Sequence, residues 1–346
     1  MTTRYRGIVR SVANPPNPWH SHHVELLEPP PTAPLQVYEE QAKSILSRND
    51  SPDIPFTWSV NPYRGCLHGC AYCYARPSHQ YLDFGAGTDF ERKIVVKTNA
   101  ADLLRAELRA RSAAMRGEVL AFSGVTDCYQ PLEASYGVTR ACLQACRDLQ
   151  QPVNVITKGA LIERDVDLLA AMVGRAGASV FVSIPFADVA DARAIEPQAP
   201  SPERRLRTLA TLAAAGIPVG VAVAPVIPGL NDHQVPAVLE QARAAGAGRA
   251  FLILLRLPQE VLPVFEERVR AAMPQRADKI FAALADARGG TLQEARFGRR
   301  MVGSGPRWQA IEQLFRIQCA RLGLQVRIER KVAVPRPRQL GLFGGS

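Results

Sequence analysis

No apolar run in this chain approaches the length of a membrane span, and the opening residues Met1-Thr2-Thr3-Arg4-Tyr5-Arg6 lack the apolar stretch that directs export. These absences lead to the expectation of a soluble protein of the reducing cytoplasm. Cysteine is scarce, at 7 among 346 residues. Three of the seven, Cys66, Cys70 and Cys73, crowd into one short loop, which is not how a disulfide framework is spaced. A zinc knuckle needs a fourth ligand, and no second Cys/His pair lies at finger distance. The histidines of Trp19-His20-Ser21-His22-His23 sit in a loop without a nearby cysteine and read as incidental.

What is present is a globular balance, 47% hydrophobic and 21% charged, in a chain long enough to bury a large core. Net charge is +10, and residues 291–346 hold eleven Lys/Arg against three acids. A basic segment this concentrated suggests a phosphate-rich partner, with nucleic acid first among the candidates; the alternative is an ordinary solvated surface.

Four regions are expected. Residues 1–53 form a proline-rich N-terminal extension with a short helix around Val37–Leu46, and 54–258 form the core. A helical, basic C-terminal region covers 259–334, and 335–346 form a mobile tail. In the core, β-branched runs alternate with Ala/Leu/Arg-rich amphipathic stretches, the pattern of a parallel sheet. Strands are expected at Phe56–Val60, Val119–Ser123, Val153–Thr157, Ser179–Ile184, Pro218–Ala224 and Ala250–Leu255, with helices between them. The fold class is therefore α/β, an open, partial βα barrel of about six parallel strands, with chemistry at their C-terminal ends. The segment Lys93–Lys97 is expected to pair at an edge, and helices at Val261–Met273, Ala277–Arg288 and Trp308–Leu322 to follow the core.

Cys66-x3-Cys70-x2-Cys73 supplies three thiolates. A cubane [4Fe–4S] cluster takes four ligands, so one iron is left to bind a small molecule. The spacing, with Tyr72 before the last cysteine, resembles the radical S-adenosylmethionine (SAM) superfamily. That resemblance implies a [4Fe–4S] cluster whose open iron is chelated by the amine and carboxylate of SAM. It also implies reductive cleavage to a 5′-deoxyadenosyl radical, and hence an electron donor such as flavodoxin or ferredoxin.

The resemblance implies further SAM contacts at successive strand ends. Thr126 and Asp127 stand where the amine is received, Lys158 is placed for the carboxylate, and Ser183 for ribose or carboxylate. Pro225–Asp232 resembles an adenine-packing segment, with Ile227 and Gly229 as its contacts and Pro225 and Asp232 as departures. Asn-Pro-Tyr-x-Gly-Cys, Thr-Asp-x-Tyr-Gln-Pro and Thr-Lys together resemble a bacterial branch related to spore photoproduct lyase. In that enzyme a cysteine before the Thr/Ser-Asp pair returns hydrogen, and here Val125 holds that place. Cys128 is the candidate substitute donor, with Tyr129 and Gln130 lining the substrate pocket. Cys142 and Cys146 lie four apart on one helix face and read as core.

Arg299, Arg300 and Arg307 lie beside glycines and could wrap a phosphate. The tail Gln339-Leu340-Gly341-Leu342-Phe343 resembles the bacterial sliding-clamp motif, with Gln339, Leu340, Leu342 and Phe343 as anchors. The expected function is radical hydrogen abstraction on nucleic acid, in repair or base modification. The alternatives are a peptide or small-molecule substrate, or a non-catalytic iron–sulfur protein recruited to the clamp.

Overall fold

The structure, a computed structural model, describes residues 8–12, 34–111, 115 and 117–326. The prolines at 15–31, the histidine cluster and the tail motif Gln339–Phe343 lie outside the described residues.

The described residues form twelve strands: β1 (Ile8–Val12), β2 (Gln36–Gln41), β3 (Leu46–Arg48), β4 (Trp58–Val60), β5 (Tyr63–Arg64), β6 (Lys93–Lys97), β7 (Leu120–Phe122), β8 (Val153–Thr157), β9 (Ala178–Ser183), β10 (Val219–Val226), β11 (Arg249–Leu254) and β12 (Gln325–Val326). The main sheet runs β12-β11-β10-β9-β8-β7-β4-β3. From β4 to β12 every neighbouring pair is parallel, and only β3 runs antiparallel to β4. Because β3 and β12 do not pair, the sheet stays open.

Parallel pairing demands a crossover after each strand, and the Ala/Leu/Arg-rich stretches supply it. Between β7 and β8 the helix Val138–Asp148 buries Val138, Cys142, Leu143 and Cys146, a stripe at helical spacing. The helices Pro202–Ala214 and Val235–Ala244 do the same on either side of β10, burying Leu209 and Leu212 or Val238 and Leu239. Each such side chain contributes about 1.5–3 kcal/mol of transfer free energy. Three further helices, Val261–Ala272, Ala277–Ala287 and Pro306–Leu322, follow the core.

Two expectations are corrected. Val37–Leu46 is not a helix: its residues form β2 and β3, because β2 finds partners on both sides, β1 antiparallel and β6 parallel. Long-range pairing overrides the local preference of a Glu/Gln/Ala-rich stretch. Lys93–Lys97 is not an edge strand either, since β6 lies inside a second sheet of order β1-β2-β6-β5 with Ile94, Val95 and Val96 fully buried.

Candidate active site

The loop from Tyr63 to Cys73 leaves β5 and immediately turns. Gly65 makes that turn with φ of +78°, and a Cβ there would stand 2.8–2.9 Å from Ile94, His79 and the Phe90 carbonyl. Glycine is therefore required twice, by dihedral and by space. The fully buried Arg76 then gathers the loop's carbonyls: Nε donates to Cys70 O at 3.1 Å and Nη2 to Cys70 O and Gly69 O at 2.9 and 3.2 Å. Its remaining donors go to the carbonyls of Ala86 and Gly87 and to Glu91.

The Thr-Asp-x-Tyr-Gln segment after β7 closes on the same loop. Gln130 is fully buried, donates to Gly65 O at 3.1 Å and accepts from Leu67 N at 3.0 Å. It is a clamp on the cysteine loop, not a pocket-lining residue. Asn61 Oδ1 accepts from Val125 N at 2.8 Å, and Thr126 donates its hydroxyl to Tyr63 O at 2.9 Å. Asp127 spends its carboxylate on the protein, accepting from the Thr157 hydroxyl (2.6 Å), Lys158 N (2.8 Å) and Tyr129 N (2.9 Å), with His68 Nδ1 at 3.4 Å. Burial raises its pKa, but His68 and these hydrogen bonds prevail and hold the carboxyl well below the usual range.

A cavity of about 290 Å³ opens where these strand ends converge. Cys66, Cys70 and Cys73 line it together with Tyr72, Thr126, Asp127, Lys158 and Ser183. Burial pushes the Cys70 thiol up to about 12, so iron binding there displaces a proton that solvent would not take at neutral pH. Among the described residues no three His, Cys, Asp or Glu side chains converge as ligands of a single metal ion. Three cysteine thiols lining one cavity are a donor set that fits a cubane with one iron left open.

Tyr72 is anchored from below. Its phenol donates to Glu196, which also receives Arg205 Nη2 at 2.5 Å and lies 3.8 Å from Lys158 Nζ. Arg205 in turn donates to Ser183 O at 3.1 Å. Burial raises the Glu196 pKa, yet Arg205 and Lys158 outweigh it and keep the carboxyl below its ordinary value. The chain Tyr72–Glu196–Arg205 thus ties the cysteine loop to the end of β9 and fixes the Lys158 ammonium, 5.6 Å over the Tyr72 ring. Nothing in the sequence marks Glu196 or Arg205, which belong to no motif. His68 carried a signal only in lying between two cysteines.

Four candidate residues are not brought to the cavity. Cys128 is fully buried beneath the turn, its N–H bonded to Ser123 Oγ at 3.0 Å, and Tyr129 points into the core to reach Asp165 at 3.0 Å. Both are absent from the cavity wall. Ile227 is fully buried and Gly229 packs against Ala283 and Ile280; Ala222, Ala224 and Pro225 line the cavity from β10 instead. The half-exposed Tyr74, whose hydroxyl donates to Gly124 O at 2.6 Å, and Val125 line the cavity, where Tyr129 and Gln130 were expected to.

The sequence matches the family model of the radical SAM superfamily over residues 60–242. The chain belongs to that superfamily. Radical SAM proteins use a [4Fe–4S] cluster and SAM. An uncharacterised protein of Mycobacterium tuberculosis is 40% identical over 216 residues, 62% of this chain and 63% of that protein, so the chain spans under two thirds of this relative's length. The radical SAM Nalpha-GlyT isomerase of Pseudomonas phage M6 is 23% identical over 298 residues, 85% of this chain and 58% of the isomerase. Spore photoproduct lyase, solved with AdoMet and dinucleoside spore photoproduct, superposes with a TM-score of 0.63 at 16% identity, covering 84% of this chain and 81% of the lyase. The lyase shares the fold. Among the described residues no helix is long and apolar enough to cross a membrane.

Proposed function

We propose that this radical SAM protein is an enzyme that abstracts hydrogen from a nucleic acid base. The observation that carries the reading is a single cavity in which three loop cysteines, Lys158 and Ser183 meet at the C-terminal ends of parallel strands. When bound, cluster and SAM supply a 5′-deoxyadenosyl radical. The protein's own residues hold and shield. Cys66, Cys70 and Cys73 would ligate the cluster, with Arg76 and Gln130 fixing the loop that carries them. Lys158, 3.8 Å from Glu196, would receive the SAM carboxylate, and Ser183, whose hydroxyl donates to Ala224 O at 3.2 Å, lines the same cavity from β9. Phe122, Ile156, Phe251 and Ile253 present an apolar wall that excludes water and accepts a flat ring. A base would reach this wall only extruded from its stack. The overall charge of +10 supports a polyanionic partner.

Anaerobic reconstitution with iron and sulfide, followed by dithionite and SAM, is expected to yield 5′-deoxyadenosine. Variants with Cys66, Cys70 or Cys73 changed to Ala should yield none. Absence of product from the iron-loaded wild type would sink the enzymatic reading and leave an iron–sulfur interaction protein. A product yield indifferent to added oligonucleotides favours a peptide or small-molecule substrate.

Recruitment to a sliding clamp through Gln339–Phe343 and reduction by a flavodoxin or ferredoxin belong to the same reading. Deleting residues 339–343 is expected to abolish capture on an immobilised clamp, and unchanged capture refutes that docking role.

A further inference from the structure

Three arginines bond residues that line the cavity and are committed to the protein. Arg76 binds the loop carbonyls, Arg205 binds Glu196, Pro200 O and Ser183 O, and Arg300 donates to Asp53 at 2.5 Å and to Ser51 Oγ at 2.6 Å. Arg256 is the exception. It follows β11 directly, is half-buried on the cavity wall, and makes no hydrogen bond or ion pair with any described residue. The one acid on that rim, Asp53, is already taken by Arg300 and by Gly298 N at 2.6 Å. Behind the rim, the 7%-exposed Arg288 donates Nη2 to the carbonyls of Leu255 and Arg300, while its buried Nε and Nη1 have no partner among the described residues. The rim therefore carries more guanidinium than the protein neutralises.

We infer that Arg256 is the residue that grips the substrate's phosphate: its planar fork takes one phosphodiester of a strand whose neighbouring base enters the cavity. The inference rests on the nucleic-acid reading above. A guanidinium matches phosphate bidentately, and at the rim of an apolar cavity it fixes the strand's register without reading sequence. Burial, then the nearby Arg300, lowers the Arg256 pKa, and Tyr74 and Asp53 offset this only in part. Lys158 follows β8, and two strands separate β8 from β11, a lateral distance of roughly 14 Å at ordinary sheet spacing.

The test uses the full-length, iron-loaded protein and a short fluorescein-labelled oligothymidylate, read by anisotropy across a KCl series. Arg256→Gln is expected to weaken binding about tenfold near 0.1 M salt. It should also reduce the slope of log K against log salt by about 0.7, the value of one phosphate on a single strand. Arg256→Lys should keep the slope while losing part of the affinity. Oligomers neutralised at single linkages by methylphosphonate should weaken wild type at one position only, with Arg256→Gln indifferent to that position. Arg207→Gln, on the exposed face of the helix Pro202–Ala214, should change nothing.

Equal binding by wild type and Arg256→Gln overturns the Arg256 assignment and leaves the nucleic-acid reading standing. A wild type that ignores the oligomer at low salt overturns both. An equal loss of SAM affinity, measured by equilibrium dialysis, reassigns Arg256 to the cofactor. Should Arg256→Gln fail to fold, Arg256→Lys and the methylphosphonate scan decide.

Discussion

Gln130 joins two segments that sequence alone keeps 60 or more positions apart, pairing with Gly65 O and Leu67 N at once. Gln130→Leu keeps the volume and strands both backbone groups in the core, at a cost of about 2–4 kcal/mol. The expected outcome is a lower melting temperature together with reduced iron per chain after reconstitution. Full iron loading at an unchanged melting temperature would show the clamp to be dispensable. At this scale the sequence was uneven as a guide. That Cys66, Cys70, Cys73, Lys158 and Ser183 face one cavity could be expected, the cysteines from their close spacing and the other two because each directly follows or ends a strand. Cys128 and Tyr129 were misread since a strand-end turn can send successive side chains inward. Here Ser123, at φ of +70°, bends the chain and its hydroxyl receives Cys128 N, turning Val125 outward to the cavity.

Six strands of the main sheet, β4 and β7 to β11, were readable from β-branched runs alone: β8 falls on Val153–Thr157 as expected, and the other five shift by one or two residues at their ends. The second sheet was not, because β2 and β6 lie more than fifty residues apart and carry charged residues. Lys97, at the end of β6, is one of them and is only 7% exposed. Burial first, then Arg64, brings its pKa down to about 8 from 10.5. Between those two values the folded protein has released a proton that the unfolded chain still holds, so stability rises with pH across that window. Below pH 8 both states are protonated and the burial penalty is complete, on the order of 2–3 kcal/mol. Lys97→Met should therefore stabilise at neutral pH, with the advantage shrinking from about pH 8 towards 10. Parallel melting-temperature profiles for the two proteins would contradict this account of Lys97.

Across the whole molecule, one junction makes the cavity a closed-sided site. Asp53, 4% exposed at its side chain, receives Arg300 and Gly298 N, and Arg300 also stacks on Phe297 at 4.3 Å. A double-mutant cycle on Asp53→Ala and Arg300→Ala is expected to return a coupling of about 1–3 kcal/mol. Strictly additive effects would mean that the two regions merely touch. The arginines of this region were visible as charge in the sequence, but charge counting could not separate Arg300, which holds the rim together, from the uncommitted Arg256. That distinction depends on which acid lies within reach, and Asp53 is 247 positions away from Arg300.

That separation orders the protein's biogenesis. During synthesis the cysteine loop and the strands from β4 to β10 emerge well before Arg300 exists, and long-range closures carry the largest loop entropy. The contact that closes the rim is thus made across a longer stretch of chain than the contacts that hold the cysteine loop.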